Sequence, residues 1–241
     1  MHRMLAVRIL PNKKEKESQQ LNNHHLQRKN ALTLIRTMFA AALVLTCATT
    51  LATHASAQTV TPPPTPTDIT PPEGNTAFFV GHAFGTQGYT CLPTSTGATS
   101  WTVNQARPEA TLFSVVFGQL IQSITHFTSI NENPKDKLPP SPSGNVTWQG
   151  FDTSRVWAKA TGVLPASSDQ PSCPHTGSIP CVRLESIGNQ KGPSGGRLLA
   201  DTTFVQRLNT NGGAAPTTAC TVGQTLLVPY TADYYFYRKA E

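Results

Sequence analysis

The sequence is poor in the residues from which catalytic and metal sites are built. Charged residues make up 13% of the chain and aromatic residues 7%. After residue 57 only three histidines remain, His82, His126 and His175. None of them stands in the H-x-x-x-H or H-E-x-x-H spacing that places two imidazoles on one helix face. No glycine-rich phosphate fingerprint follows a strand either, so the sequence predicts no metal site and no cofactor.

Net charge is also missing from most of the chain. The first 57 residues hold eight of the 19 Lys and Arg residues and two of the 13 Asp and Glu residues, which leaves eleven of each sign. The basic character of the whole chain therefore belongs to its first segment. A neutral domain lacks the electrostatic basis for binding nucleic acid, so we expect no nucleic-acid partner.

The longest apolar run, residues 40–52, is too short to span a membrane, which takes roughly twenty apolar residues. Basic residues precede it, and the A-x-A pattern of residues 55–57 follows it. This arrangement is typical of a secretory signal. We predict that residues 1–57 are a signal peptide with an extended polar start, and that the chain is exported to the periplasm or beyond the cell. The alternative is an uncleaved anchor; the mature chain should have no transmembrane segment.

Four cysteines follow the predicted signal: Cys91, Cys173, Cys181 and Cys220. An even number in an exported chain indicates two disulfides, and four cysteines allow three pairings. We favour Cys173–Cys181 as a short local loop and Cys91–Cys220 as a tie between the two ends of the domain. Zinc binding by Cys173, His175 and Cys181 is the alternative, and an oxidising compartment disfavours it.

The rest of the chain predicts one domain. Residues 58–72 are expected to be a linker, and its alternating Pro and Thr residues, 61–67, should form an extended spacer that buries nothing. In residues 73–241, short runs of alternating apolar and polar residues are separated by Gly, Pro, Asn and Ser. This pattern predicts a mostly β fold, a single antiparallel sandwich or barrel-like domain with long loops. Residues 112–127 fit a short helix and two strands about equally well.

Residues 202–241 should anchor this fold. Within them, Phe204, Gln206 and Leu208 alternate with Val205 and Arg207. Either Gln206 or Arg207 should face inward, and a buried polar side chain must be hydrogen-bonded. It is then either a structural clamp or part of a ligand-binding site.

These blocks, in this order, resemble the exported bacterial and fungal family known as domain of unknown function 3455. The similarity covers residues 72–238, and it is carried by the blocks at residues 72–75, 106–113, 126–127, 147–149, 152–156, 204–213, 219–220 and 228–237. The chain departs from the family pattern by an insertion at residues 128–146 and by the cysteine-containing loop at residues 165–180. The resemblance implies an exported, compact, β-rich domain. It implies no activity, so it assigns no catalytic residues.

Three functional hypotheses remain. The first is a non-catalytic binding or structural module of the cell envelope or extracellular space. The second is a hydrolase-like enzyme centred on His126 with an acidic partner, either Asp152 or Glu109, which would have to lie within hydrogen-bond reach of the imidazole. The third is a carbohydrate-binding module with an exposed row of aromatic rings from Trp101, Trp148, Trp157 or the terminal tyrosines.

Overall fold

Nine antiparallel strands build the domain in the computed structural model, which describes residues 60–104, 108–129 and 144–240. These residues belong to one unit that begins at Thr59. The strands are β1 (Asn75–Pro93), β2 (Thr99–Val103), β3 (Glu109–Val116), β4 (Gln119–Ser129), β5 (Asn145–Gly150), β6 (Arg155–Leu164), β7 (Cys181–Gln190), β8 (Phe204–Gly212) and β9 (Thr225–Lys239). The predicted mostly β fold is confirmed. No helix among the described residues is long and apolar enough to cross a membrane.

The sheet closes on itself, because β9 pairs with β1 along most of the length of both strands. The other edge of β1 pairs first with β3, through residues 82–86, and then with β2, through residues 89–93. Strands β2 and β3 therefore act as one interrupted strand, and the architecture is an eight-stranded antiparallel barrel. Closure pairs both edges of the eight main strands, and among the described residues only the short strand β2 keeps an unpaired outer edge. Of the two architectures that the sequence leaves open, the barrel is the one formed.

The helix alternative for residues 112–127 is wrong, because this segment forms β3, β4 and the turn between them. Phe117 and Gly118 both have positive φ angles, 49° and 75°, as the two central residues of a tight hairpin require. Apolar residues near the turn stand on both faces of the hairpin and are exposed: Val115, Val116, Phe117, Leu120 and Ile121. Because apolar residues on both faces hide the alternation typical of a strand, the pattern can be mistaken for a helical one.

One end of the barrel interior is filled by side chains from the connection between β7 and β8. Leu199 is fully buried and packs with Leu112, Ile124, Val156 and Phe236 in the interior cluster. The neighbouring Leu198 packs against the same cluster. This end is therefore a conventional hydrophobic core.

A second apolar cluster lies outside the sheet, where residues 60–72 pack on β8 and β9. Ile69, which follows the Pro/Thr-rich run, is fully buried there. The Gln206 side chain, which is 0% exposed, donates from Nε2 to the Ile69 carbonyl oxygen (2.7 Å). Its Oε1 accepts from the Tyr237 hydroxyl (2.6 Å). Gly162 allows the close approach, because a side chain at Gly162 would collide with the backbone of Asp68.

Both disulfides lie at the opposite end of the barrel from Leu198 and Leu199. Cys91, near the end of β1, bonds to Cys220 in the connection between β8 and β9. Cys173 bonds to Cys181, the first residue of β7. These are the two pairs that the sequence favours, and they are consistent with an oxidising environment.

Candidate ligand-binding cavity

A cavity of about 700 Å³ occupies the disulfide-linked end of the barrel interior. Strands β1 and β4 end there, and β3, β5 and β7 begin there. Its walls are mainly aliphatic and aromatic, with a few polar side chains. The lining residues are Gln87, Val103, Pro108, His126, Gly144, Asn145, Val146, Trp148, Ala158, Lys159, Ala160, Val182, Leu184, Ile187, Arg207 and Tyr234. An apolar cavity of this size with a few polar groups is typical of small-molecule sites.

His126 is buried in the wall of this cavity. Its ring lies flat on the Trp148 indole, with the centroids 4.4 Å apart and the planes 9° apart, and Tyr234 packs beside both rings. Nδ1 donates to the carbonyl oxygen of Thr147 (3.0 Å), which leaves Nε2 as an acceptor in the neutral ring. Burial lowers the pKa of His126 to about 4, the Thr147 carbonyl opposes this shift, and the charge of Arg207 adds to it. His126 is therefore neutral at pH 7.

This depressed pKa makes the stability of the protein depend on pH. The unfolded chain takes up a proton at His126 near pH 6.5, whereas the folded protein does so only near pH 4. We therefore expect His126 to reduce the free energy of unfolding by about 3 kcal/mol as the pH falls from 7 to 4, and to cause no further loss below that. Urea unfolding of the His126→Gln variant across this range should show a shallower slope than the parent protein. The same substitution at the exposed His175 should leave the slope unchanged; equal slopes in all three proteins would contradict the prediction.

Arg207 projects into the same cavity from β8. Its Nη2 donates to the Pro180 carbonyl oxygen (2.8 Å), and its guanidinium carbon lies 6.0 Å from the centre of the Tyr230 ring. No carboxylate of the described residues lies within ion-pair distance of Arg207. Its positive charge therefore stands in a mostly apolar cavity without a neutralising partner in that part of the chain.

The remaining candidate residues lie elsewhere. Gln206 points to the outside of the barrel, where it holds Ile69 as described above. Asp152 lies in the turn after β5, at the end of the barrel that Leu198 fills. Its Oδ2 accepts from the Leu198 N–H (2.8 Å), and its Oδ1 accepts from the Ser154 hydroxyl (2.6 Å). The structure thus brings His126 and Arg207 together and places Asp152 and Gln206 in structural roles.

The electrostatics of Asp152 fit this anchoring role. Partial burial raises the pKa of its carboxyl, but the hydrogen bonds from Leu198 and Ser154 outweigh burial, so the pKa lies below its ordinary value. Side chains at Gly192 or Gly196 would collide with the Asp152 backbone, so these glycines let the β7–β8 connection close over the turn. Asp152 holds the residues that fill the closed end and forms no hydrogen bond to His126.

The sequence did not reveal two other groupings. Tyr230 and Tyr234 share a buried hydroxyl–hydroxyl hydrogen bond (3.0 Å) beside the cavity. On the outer surface, Asp233 pairs with His82 Nδ1 (2.6 Å) and accepts from the Asn209 amide (2.7 Å). Successive side chains along β9 point to opposite faces of the sheet, so Tyr234 faces inward and Asp233 faces outward. This alternation is the sequence signal that could have assigned the two groupings to different faces.

The exposed aromatic platform is absent. Trp148 is 1% exposed and Trp157 is 2% exposed, and the four C-terminal tyrosines are buried as well. Trp101 is half-buried on β2. Among the described residues, no group of three or more His, Cys, Asp or Glu residues is arranged to hold a metal ion. Trp148, Trp157 and these tyrosines therefore offer no exposed rings on which a sugar could stack.

These features define a class of protein: an antiparallel β-barrel that is filled at one end and hollow at the other, with polar side chains inside the hollow. The chain matches the family described as Protein of unknown function (DUF3455) over residues 71–238, and it belongs to that family. The resemblance found in the sequence is thereby confirmed. No curated protein and no solved structure matches the chain.

Proposed function

We propose that this protein is an exported binding module that holds a small, largely apolar molecule inside its barrel. The observation that carries the proposal is the cavity of about 700 Å³ at the disulfide-linked end. A space of this size that is open to solvent on one side and lined mainly by apolar side chains is typical of a small-molecule site, whereas the opposite end is occupied by Leu198 and Leu199.

The construction around the cavity supports binding without catalysis. The two disulfides constrain connections at this end, which keeps the site formed before a ligand arrives and reduces the entropy lost on binding. His126 has a backbone carbonyl as its hydrogen-bond partner, and the carboxylate of Asp152 is used at the other end of the barrel. An acid–base pair built on these two residues is not assembled, so binding is favoured over hydrolysis.

A substitution that fills the cavity tests the proposal. Ala158 is buried and lines the cavity, and Phe at this position should occupy the volume that a ligand needs. We expect Ala158→Phe to weaken the binding of apolar fluorescent probes about tenfold or more. The probes are 1-anilinonaphthalene-8-sulfonate and its neutral analogue N-phenyl-1-naphthylamine. The full chain is expressed so that the producing cell removes the signal peptide, and the exported protein is titrated with each probe.

The matched control is Thr161→Phe, which places the same ring at an exposed position of the same strand. It should leave probe binding unchanged. Native mass spectrometry of the purified protein should also detect a bound small molecule, and Ala158→Phe should reduce its occupancy. The proposal fails if the folded parent protein binds neither probe and carries no ligand, or if the two phenylalanine variants behave alike.

A further inference from the structure

Two cations, Arg207 and Lys159, are among the polar side chains that line the cavity. Among the residues that the structure describes, neither Asp nor Glu lines it. Lys159 also lines it, but Lys159 is exposed and stands opposite Glu185 in the register of β6 and β7. Arg207 is therefore the less exposed of the two cations, and no carboxylate of the described residues lies within ion-pair distance of it. A charge placed in apolar surroundings costs free energy unless an opposite charge or several hydrogen bonds compensate for it.

The donors near Arg207 are also incompletely satisfied. Nε of Arg207 and Nε1 of Trp148 are buried, and neither has a hydrogen-bond partner in the described parts of the chain. Buried polar atoms in folded proteins nearly always have hydrogen-bond partners. Donors without one therefore indicate a place where a ligand or a water molecule can accept the hydrogen bond. Two side chains in the walls of the cavity thus have a donor without a partner among the described residues, and one of them, Arg207, also carries a positive charge, so together they favour an acceptor of negative charge.

His126 does not alter this balance at pH 7. It is neutral, and its Nδ1 proton is used by the Thr147 carbonyl. The hydroxyls of Tyr230 and Tyr234 are hydrogen-bonded to each other. Burial and the neighbouring Tyr234 raise the pKa of Tyr230 well above its ordinary value although Arg207 opposes this shift, so the Tyr230 hydroxyl is uncharged at pH 7. His126 and Tyr230 therefore supply no negative charge to Arg207 at pH 7.

The rest of the cavity is apolar. Ala158 and Ala160 on β6 and Val182 and Leu184 on β7 form a continuous aliphatic wall. A molecule that fits both regions has an acidic head group and an apolar body. We propose that the cavity binds an amphipathic organic anion, whose acidic group is held by Arg207 and whose apolar body lies along β6 and β7. This inference rests on the proposed function and names the class of ligand.

Pairs of ligands that differ only in the acidic group test the inference. Octanoate is compared with octan-1-ol, and 2-naphthoate with 2-naphthalenemethanol, by isothermal titration calorimetry at pH 7. We expect the parent protein to bind each acid about tenfold or more tightly than its alcohol, because hydrogen bonds between ionised partners are the stronger ones. Arg207→Met should remove this preference while the affinity for the alcohols stays within about threefold.

Two further variants keep the result interpretable. Arg207→Lys retains the charge but not the planar fork, so it should keep part of the preference for acids. Arg183→Met changes an arginine on the outer face of β7, which contacts Thr161 and Thr70, and it should keep all of the preference. If Arg207→Met does not fold, the inference is tested by the affinities of Arg207→Lys for the acids and by the comparison of acids with alcohols in the parent protein.

The outcomes separate this inference from the proposed function. Equal affinity of the parent protein for acids and alcohols would overturn the inference and leave a neutral apolar ligand. A preference for acids that survives in Arg207→Met would also overturn it, because the acidic group would then bind elsewhere. Failure of the parent protein to bind either series, together with failure of both fluorescent probes, would overturn the proposed function and this inference together.

Discussion

Replacing Cys91 and Cys220 together by alanine should lower the free energy of unfolding by about 5 kcal/mol. The bond joins residues 129 positions apart, whereas Cys173 and Cys181 are 8 positions apart. A cross-link that closes a longer loop removes more conformations from the unfolded chain. Replacing Cys173 and Cys181 by alanine should therefore lower the free energy of unfolding by about 2.5 kcal/mol less than replacing Cys91 and Cys220. Both comparisons use urea unfolding at pH 7 without reductant.

The two variant pairs control for each other, because Cys91, Cys173 and Cys181 are all fully buried and each pair removes two sulfur atoms. If lost packing dominated, the two losses would be similar. Equal losses, or a larger loss for the short loop, would contradict the entropic account. A difference near that expected would show that Cys91–Cys220 stabilises the fold mainly through the unfolded state.

The strands and the disulfide pairs could be predicted from local patterns, whereas the closure of the barrel could not. Alternation predicts that Gln206 and Arg207 face opposite sides of β8, and they do. It does not say which side is the interior, because Gln206 is buried as well, beneath residues 60–72. Strands β1 and β9 are far apart in the sequence, and their pairing closes the sheet into a barrel. Only this closure decides that the face of β8 carrying Arg207 is the interior one.

The roles of the candidate site residues depended on the same long-range contacts. Asp152 stands in a recognisable family block, and the sequence offered it as a catalytic partner of His126. Its actual partners, Leu198 and Ser154, lie 46 and 2 residues away. The connection that carries Leu198 is rich in Gly and has no strand pattern, so nothing in the sequence marks it as the filling of the closed end. A structural turn and a catalytic turn can have the same local composition, and their contacts distinguish them.

Trp148 links the packing of the barrel to its cavity, and Trp148→Ala should lower the free energy of unfolding by about 4 kcal/mol. Its indole is 1% exposed, stacks on His126 and meets Tyr234 and Phe236 edge to face. Removing it extends the cavity over the imidazole and lets water reach the ring. Because burial is the main cause of the depressed pKa of His126, this pKa should rise from about 4 towards 6.5. Urea unfolding measures the first effect, and an NMR titration of the His126 Cε1 proton measures the second.

Trp157→Ala is the matched control, because Trp157 is 2% exposed and is also buried with an unpaired Nε1. Its neighbours Val156 and Ala158 belong to the interior cluster, so Trp157 faces the outside of the barrel. It should show a similar loss of stability and leave the pKa of His126 and the binding of the apolar probes unchanged. If both variants shift the pKa of His126, the shift reflects general loosening of the fold. If neither does, Trp148 does not shield the imidazole, and the wall of the cavity is not arranged as the structure indicates.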